Sequence, residues 1–179
     1  GEAFDKVARM LELPYPGGPQ ISGLSEAHRK AIETSNVYKL PRPMIHSGDL
    51  DFSFAGLKTA VLYTLKKIKV INAEAKQTIA REFEDAVIEV LISKTKQALK
   101  KYKAKSLIVG GGVIANTALR RALTYLAEEM EISLLVPQAR VTTDNALMIA
   151  MAGFIKIKNN PNILKKKISI KAKGKLRLS

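Results

Sequence analysis

Apolar residues Phe4, Val7, Ala8 and Leu11 recur at helical intervals, with Glu2, Asp5, Lys6 and Arg9 between them, which predicts an amphipathic helix from the first residues onward. LPYPGGP, residues 13–19, ends that pattern with three prolines and two glycines and predicts a rigid loop. ISGLSEAHRKAIETS, residues 21–35, reads as a second, shorter helix. The prolines and the alternating DLDFSF within residues 37–56 predict strands joined by loops. Helical spacing returns from Leu57 to Lys69. Asn72 then has the chemistry to cap a long helix running to about Lys103 through Ile79, Phe83, Val87, Val90, Leu91 and Leu99. Beyond it Ser106–Val109 predicts a short buried strand, the glycines at 110–112 a turn, Asn116–Met130 a helix, and Ile132–Val136 a second strand ended by Pro137. Strand, helix and strand at this spacing predict a parallel unit with a right-handed crossover. Thr143 or Asp144 is expected to cap a last helix, 145–158, whose Ala146, Ile149, Ala150, Gly153 and Phe154 form a stripe of small and apolar residues suited to close packing. The final KISIKAKGKLRL alternates strictly and reads either as an edge strand with a basic face or as a tethered polycation.

Composition narrows the class. At 179 residues with 46% apolar content, the chain is long enough for one good core or two small subdomains. Cysteine is absent, which excludes disulfides and thiolate metal sites. No apolar run approaches the roughly 18 residues of a membrane span, and the start has no signal-peptide pattern, so a cytoplasmic protein is expected. The net charge of +14 is unevenly spread: no acidic residue follows Asp144, and nine lysines and arginines from Lys156 onward leave +5 for everything before. A one-signed cluster of this kind serves either as a solubilising terminus or as a phosphate-backbone contact.

Three places could carry chemistry, and each also has a structural reading. GGGVIAN, residues 110–116, puts glycines after a strand and before a helix start, where a ligand can approach bare backbone; it matches neither the dinucleotide fingerprint nor a Walker loop, and taken alone it reads first as a packing turn with Asn116 as plain N-cap. TTDNALMIA places Asp144 and Asn145 at another helix start, where a capping carboxylate is common. Asp5 lies on a helix that runs directly into the PYPGGP loop, where a solvated carboxylate would be ordinary. His28 and His46 have no metal-ligand spacing, and no serine occupies a nucleophile context, so hydrolytic catalysis is unsupported.

Taken in order, GEAFDKVARMLELPYPGGP, DFSFAGLKTAV, IVGGGVIANTALR and TTDNALMIA resemble the C-terminal portion of the TsaD-type tRNA threonylcarbamoyltransferases, once labelled O-sialoglycoprotein endopeptidases, in their bacterial or organellar form. The four blocks span residues 1 to about 155. The resemblance implies an α/β protein of the actin-like, Hsp70 and sugar-kinase fold, with residues 1–158 its C-terminal part and 159–179 a basic tail. It implies transfer of the threonylcarbamoyl group from threonylcarbamoyl-AMP to the exocyclic amine of the adenosine beside the anticodon in ANN-decoding tRNAs. By the same resemblance Asp5, Gly18 and Asn116 match nucleotide or substrate contacts, and Asp144 matches the carboxylate that joins two histidines around an iron or zinc ion. The implied partners are tRNA, a smaller inactive paralogue and a P-loop ATPase, with no membrane.

The departures are equally specific. The family's N-terminal half, with its paired histidines and phosphate loop, has no counterpart here, so this chain alone is expected to be inactive. Ser22 stands where many bacterial members carry an aspartate that contacts the ligand, and Thr142 where cysteine is common. Two other readings stay open: another ATPase or sugar kinase of the actin-like superfamily, and a non-catalytic module that binds tRNA or a partner through its tail.

Overall fold

The computed structural model describes residues 1–31 and 38–165. They fall into two compact units, residues 1–142 and a second beginning at Thr143. The first holds α1 (Glu2–Met10), α2 (Gly17–Lys30), α3 (Phe54–Lys66), α4 (Ala73–Tyr102), β1 (Ser106–Ile108), α5 (Thr117–Glu129) and β2 (Ser133–Leu135). The second holds α6 (Ala146–Asn159), followed by a 3-10 turn at Pro161–Lys165.

The 30-residue α4 is the spine of the first unit. One side of it, through Ile79, Phe83, Ala86 and Val87, joins Phe4, Val7 and Leu11 of the α1 segment, Ile21 of α2, and Leu57 and Val61 of α3 in the larger core. Phe4 meets Phe83 edge to face at 5.1 Å, the geometry the ring quadrupoles favour. Its other side, through Ile88 and Ile92, packs on a smaller core of Ile114, Leu119 and Leu123 with Leu107 and Leu134 of the strands. A helix that serves two cores must be apolar on two faces, which explains the breadth of its sequence pattern. Asn72 caps it, Oδ1 accepting from the Ala75 N–H at 2.8 Å, and Lys103 ends it in the left-handed conformation.

β1 and β2 pair in parallel with α5 between them in sequence, register Leu107 to Leu134 and Ile108 to Leu135. Because side chains alternate, Leu107 and Leu134 enter the small core while Ile108 and Leu135 remain 76% and 55% exposed on the opposite face. The strands are therefore buried on one face only, not enclosed as their apolar runs predict.

Three further expectations are corrected. PYPGGP is not a loop throughout: Gly17, Gly18 and Pro19 form the first turn of α2, where a proline costs nothing because its N–H would be unpaired in any case. DLDFSF forms no strand. Asp49 Oδ1 accepts from the Asp51 N–H (3.0 Å) and the Ser47 hydroxyl (2.6 Å), and the buried Lys94 ammonium donates to the Asp49 carbonyl (2.6 Å), so local bonds hold this segment in turns until α3 begins. The cap of α6 is Asn145, whose Oδ1 accepts from the Met148 N–H at 3.1 Å, rather than Thr143 or Asp144. No residue of α6 is buried. The predicted basic strand begins after residue 165 and lies outside the described residues, as does the stretch from 32 to 37 that was expected to end the second helix.

Candidate functional site

The first half of α2 gathers three of the four candidate residues. Asp5, half-buried on α1, accepts the Gly17 N–H through Oδ1 at 2.8 Å, so a carboxylate from a neighbouring helix caps α2. Gly17 is buried where the two helices touch: a Cβ there would lie 2.7 Å from Ala8 Cβ and from Asp5 Cα, too close for any side chain. Gly18 differs. A Cβ at that position meets nothing within 4 Å, so its backbone faces open space. One turn further along α2, Ser22 Oγ accepts from Asn116 Nδ2 at 2.8 Å. Five residues separate Gly17 from Ser22, a rise of about 7.5 Å along the axis. Asp5 and Asn116 therefore bond to positions a little more than one helical turn apart on α2, with Gly18 next to the first of them.

The glycines at 110–112 lead to Asn116 through a 3-10 turn at Gly112–Ala115, and Gly111 adopts φ +92°, a conformation that side-chain-bearing residues avoid. Asn116 is the N-cap of α5, Oδ1 accepting from the Leu119 N–H at 2.8 Å. Its amide nitrogen also donates to Glu84 Oε1 at 2.5 Å, and the Ser22 hydroxyl donates to the same oxygen at 2.9 Å. Glu84 is 1% exposed, and its other oxygen takes the Arg29 guanidinium at 2.5 Å. Burial works against the Arg29 charge, but the hydrogen bonds to Glu84 and Asp85 outweigh it and raise its pKa. The polar chain continues from Asp85 to Arg81 and His28, whose ring nitrogens lie 3.3 Å from Arg81 Nη1 and 3.2 Å from Thr78 Oγ1. Burial first, then the Arg81 charge, lowers the His28 pKa below its usual 6.5.

Asp144 is exposed and belongs to the second unit. Among the described residues no three histidine, cysteine, aspartate or glutamate side chains gather as a metal group, and His28 is already engaged by Thr78 and Arg81. Thr142, in the cysteine-prone position, is buried with its hydroxyl on the Ala139 carbonyl at 2.8 Å, a place a thiol would also occupy.

Glu84 was not singled out in the sequence. A glutamate within α4 looks like one more solvated charge, and only the position of Arg29 and Asn116, 55 and 32 residues away, makes it the centre of a network. Gly17 and Gly18 read alike in sequence, and only the packing against α1 tells them apart.

These features define a helix-rich α/β protein with a polar network along the first turns of α2. The family model for tRNA N6-adenosine threonylcarbamoyltransferase, TsaD, matches residues 1–151. The chain is 48% identical over 168 residues to the protein of that name from Burkholderia thailandensis, covering 90% of this chain and 47% of the relative. The Burkholderia mallei and Burkholderia multivorans relatives, each 47% identical, bear the same name with the same shares covered. The chain belongs to the TsaD family. It spans about half the length of the curated relatives it matches. No helix among the described residues is long and apolar enough to cross a membrane.

Proposed function

We propose that this chain is the C-terminal part of a tRNA N6-adenosine threonylcarbamoyltransferase with the actin-like fold, acting on tRNA in the cytoplasm, and that it supplies one wall of the nucleotide site. The observation that carries this reading is the convergence of Asp5, Gly18 and Asn116 on the first turns of α2. Asp5 Oδ1 is spent on Gly17, while Oδ2 has no partner among the described residues and is available to accept from a ribose hydroxyl. The open Gly18 backbone admits the nucleotide to main-chain contact distance. Asn116, fixed by its cap, meets α2 one turn further on, at Ser22. In the reaction the threonylcarbamoyl group leaves threonylcarbamoyl-AMP for the adenosine amine, AMP departs, and the amine loses a proton. In this reading Asp5, Gly18 and Asn116 bind and orient the nucleotide.

The residues described do not by themselves fit an iron or zinc ion: Asp144 is a single exposed carboxylate, and one ligand does not hold a metal.

The test is a chimera that joins residues 1–179 to the N-terminal half of the Burkholderia thailandensis relative, with the parent enzyme as control. Transfer of labelled threonylcarbamoyl to an ANN-decoding tRNA by the chimera, and none by residues 1–179 alone, is the expected result. A folded chimera that binds no AMP, or transfer by residues 1–179 alone, overturns it.

A further inference from the structure

Asn116 has two features that pull in different directions. Its role as N-cap needs only Oδ1, and any short acceptor would serve. Yet its amide nitrogen lies in a triangle with Ser22 Oγ and Glu84 Oε1, with edges of 2.5, 2.8 and 2.9 Å, which a cap does not need. The triangle has one self-consistent proton arrangement. A carboxylate oxygen only accepts, so the Ser22 proton and an Asn116 amide proton both point at Glu84 Oε1, and Ser22 Oγ accepts from Asn116. The carbonyl oxygen of Asn116 is meanwhile committed to the Leu119 N–H, so the amide cannot flip. A buried carboxylate shared among an arginine, a hydroxyl and an amide is a costly arrangement unless each bond is kept, since losing one partner leaves charge without compensation in a low-dielectric site.

We propose that Glu84 is the positioning residue of the α2 site: held by Arg29, it fixes the rotamer and flip state of Asn116 and the hydroxyl direction of Ser22, the two polar groups one turn along α2 from the open backbone of Gly18. This rests on reading the start of α2 as a nucleotide site. It also accounts for serine at position 22. An aspartate there would bring a second carboxylate against Glu84 with no proton between them, so a hydroxyl at 22 and an anion at 84 belong together.

The swap Asn116→Asp with Glu84→Gln tests this in the full 179-residue chain. Each single change weakens the contact. Asn116→Asp keeps the cap but faces two carboxylates at one another, and Glu84→Gln loses the charge assistance. Together they restore it with the donor and acceptor exchanged, a glutamine amide donating to an aspartate. The first readout needs no ligand: the Asn116 side-chain amide proton exchanges with water slowly in the wild type and about tenfold faster in Glu84→Gln, the scale of one lost charge-assisted hydrogen bond. The second is AMP affinity, expected to fall about tenfold in each single variant and to recover to within about threefold in the swap. A Glu84→Gln chain whose Asn116 amide is unchanged overturns the positioning role, as do single losses that add in the double variant. Should Glu84→Gln fail to fold, Ser22→Asp must still lose AMP affinity and speed the same exchange, and an unchanged Ser22→Asp overturns the proposal as well. A wild-type chain that protects the amide but binds no AMP rejects the nucleotide reading and leaves the positioning role standing.

Discussion

At the scale of single residues, two adjacent glycines have opposite surroundings. Gly17→Ala forces a methyl into Ala8 and the α1 backbone, and is expected to destabilise the first unit by about 1–3 kcal/mol, read as a lowered urea midpoint. Gly18→Ala enters open space and should leave the midpoint within about 0.5 kcal/mol, while AMP affinity falls because the ligand loses its approach to the backbone. Asp5→Ala removes the acceptor for the Gly17 N–H and should cost about 1 kcal/mol, besides weakening AMP binding. His28 gives a pH signature. Burial and Arg81, aided by Arg29, disfavour its charged form more than Glu74 and Asp85 favour it, so its folded pKa lies below the unfolded 6.5. The stability it contributes is complete above 6.5 and is lost as pH falls through the folded pKa. The urea midpoint should therefore drop between about pH 7.5 and about pH 5, and His28→Gln should flatten that drop.

At the scale of elements, periodicity was legible wherever an element buries a stripe. α1, α4 and α5 lie within a few residues of their expected spans because Phe4–Val7–Ala8, Ile79–Phe83–Val87 and Leu119–Leu123 each face a core. The cap at Asn72 was equally legible; Asn72→Ala should shorten α4 by its first turn at a cost of about 1 kcal/mol, visible as faster amide exchange at Ala75. Elements set by partners distant in sequence were not. α2 starts four residues before its apolar pattern because Asp5 supplies a cap from another helix, and residues 49–51 turn rather than extend because Lys94 collects Ser47 and Asp49 from 45 to 47 residues away. The same distinction holds in the site. Asp5, Gly18 and Asn116 were singled out only through the resemblance of their motifs to a family, whereas Glu84 has no local signature and acquires its place only through Ser22, Arg29 and Asn116.

At the scale of the whole molecule, charge and connectivity are separate questions. Seven of the nine terminal positive charges lie within residues 160–179. If they meet phosphates, deleting that segment should weaken tRNA binding and reduce the slope of log affinity against log salt by up to about 0.9 for each charge engaged; an unchanged slope assigns the tail to solubility alone. Connectivity has a different consequence. The bond between Ser22 and Asn116 spans 94 residues of chain, and that between Asn116 and Glu84 spans 32. As this stretch is synthesised, Asp5 and Gly18 emerge early and α4 follows, but the network around Glu84 stays short of a partner until the turn at Gly111 has been made. At about 5–20 residues per second, that leaves Glu84 without its Asn116 partner for seconds. Arg29, 55 residues earlier, is already available to pair with it through that interval, so this ion pair can form before the rest of the network and keep Glu84 from being buried as a bare carboxylate.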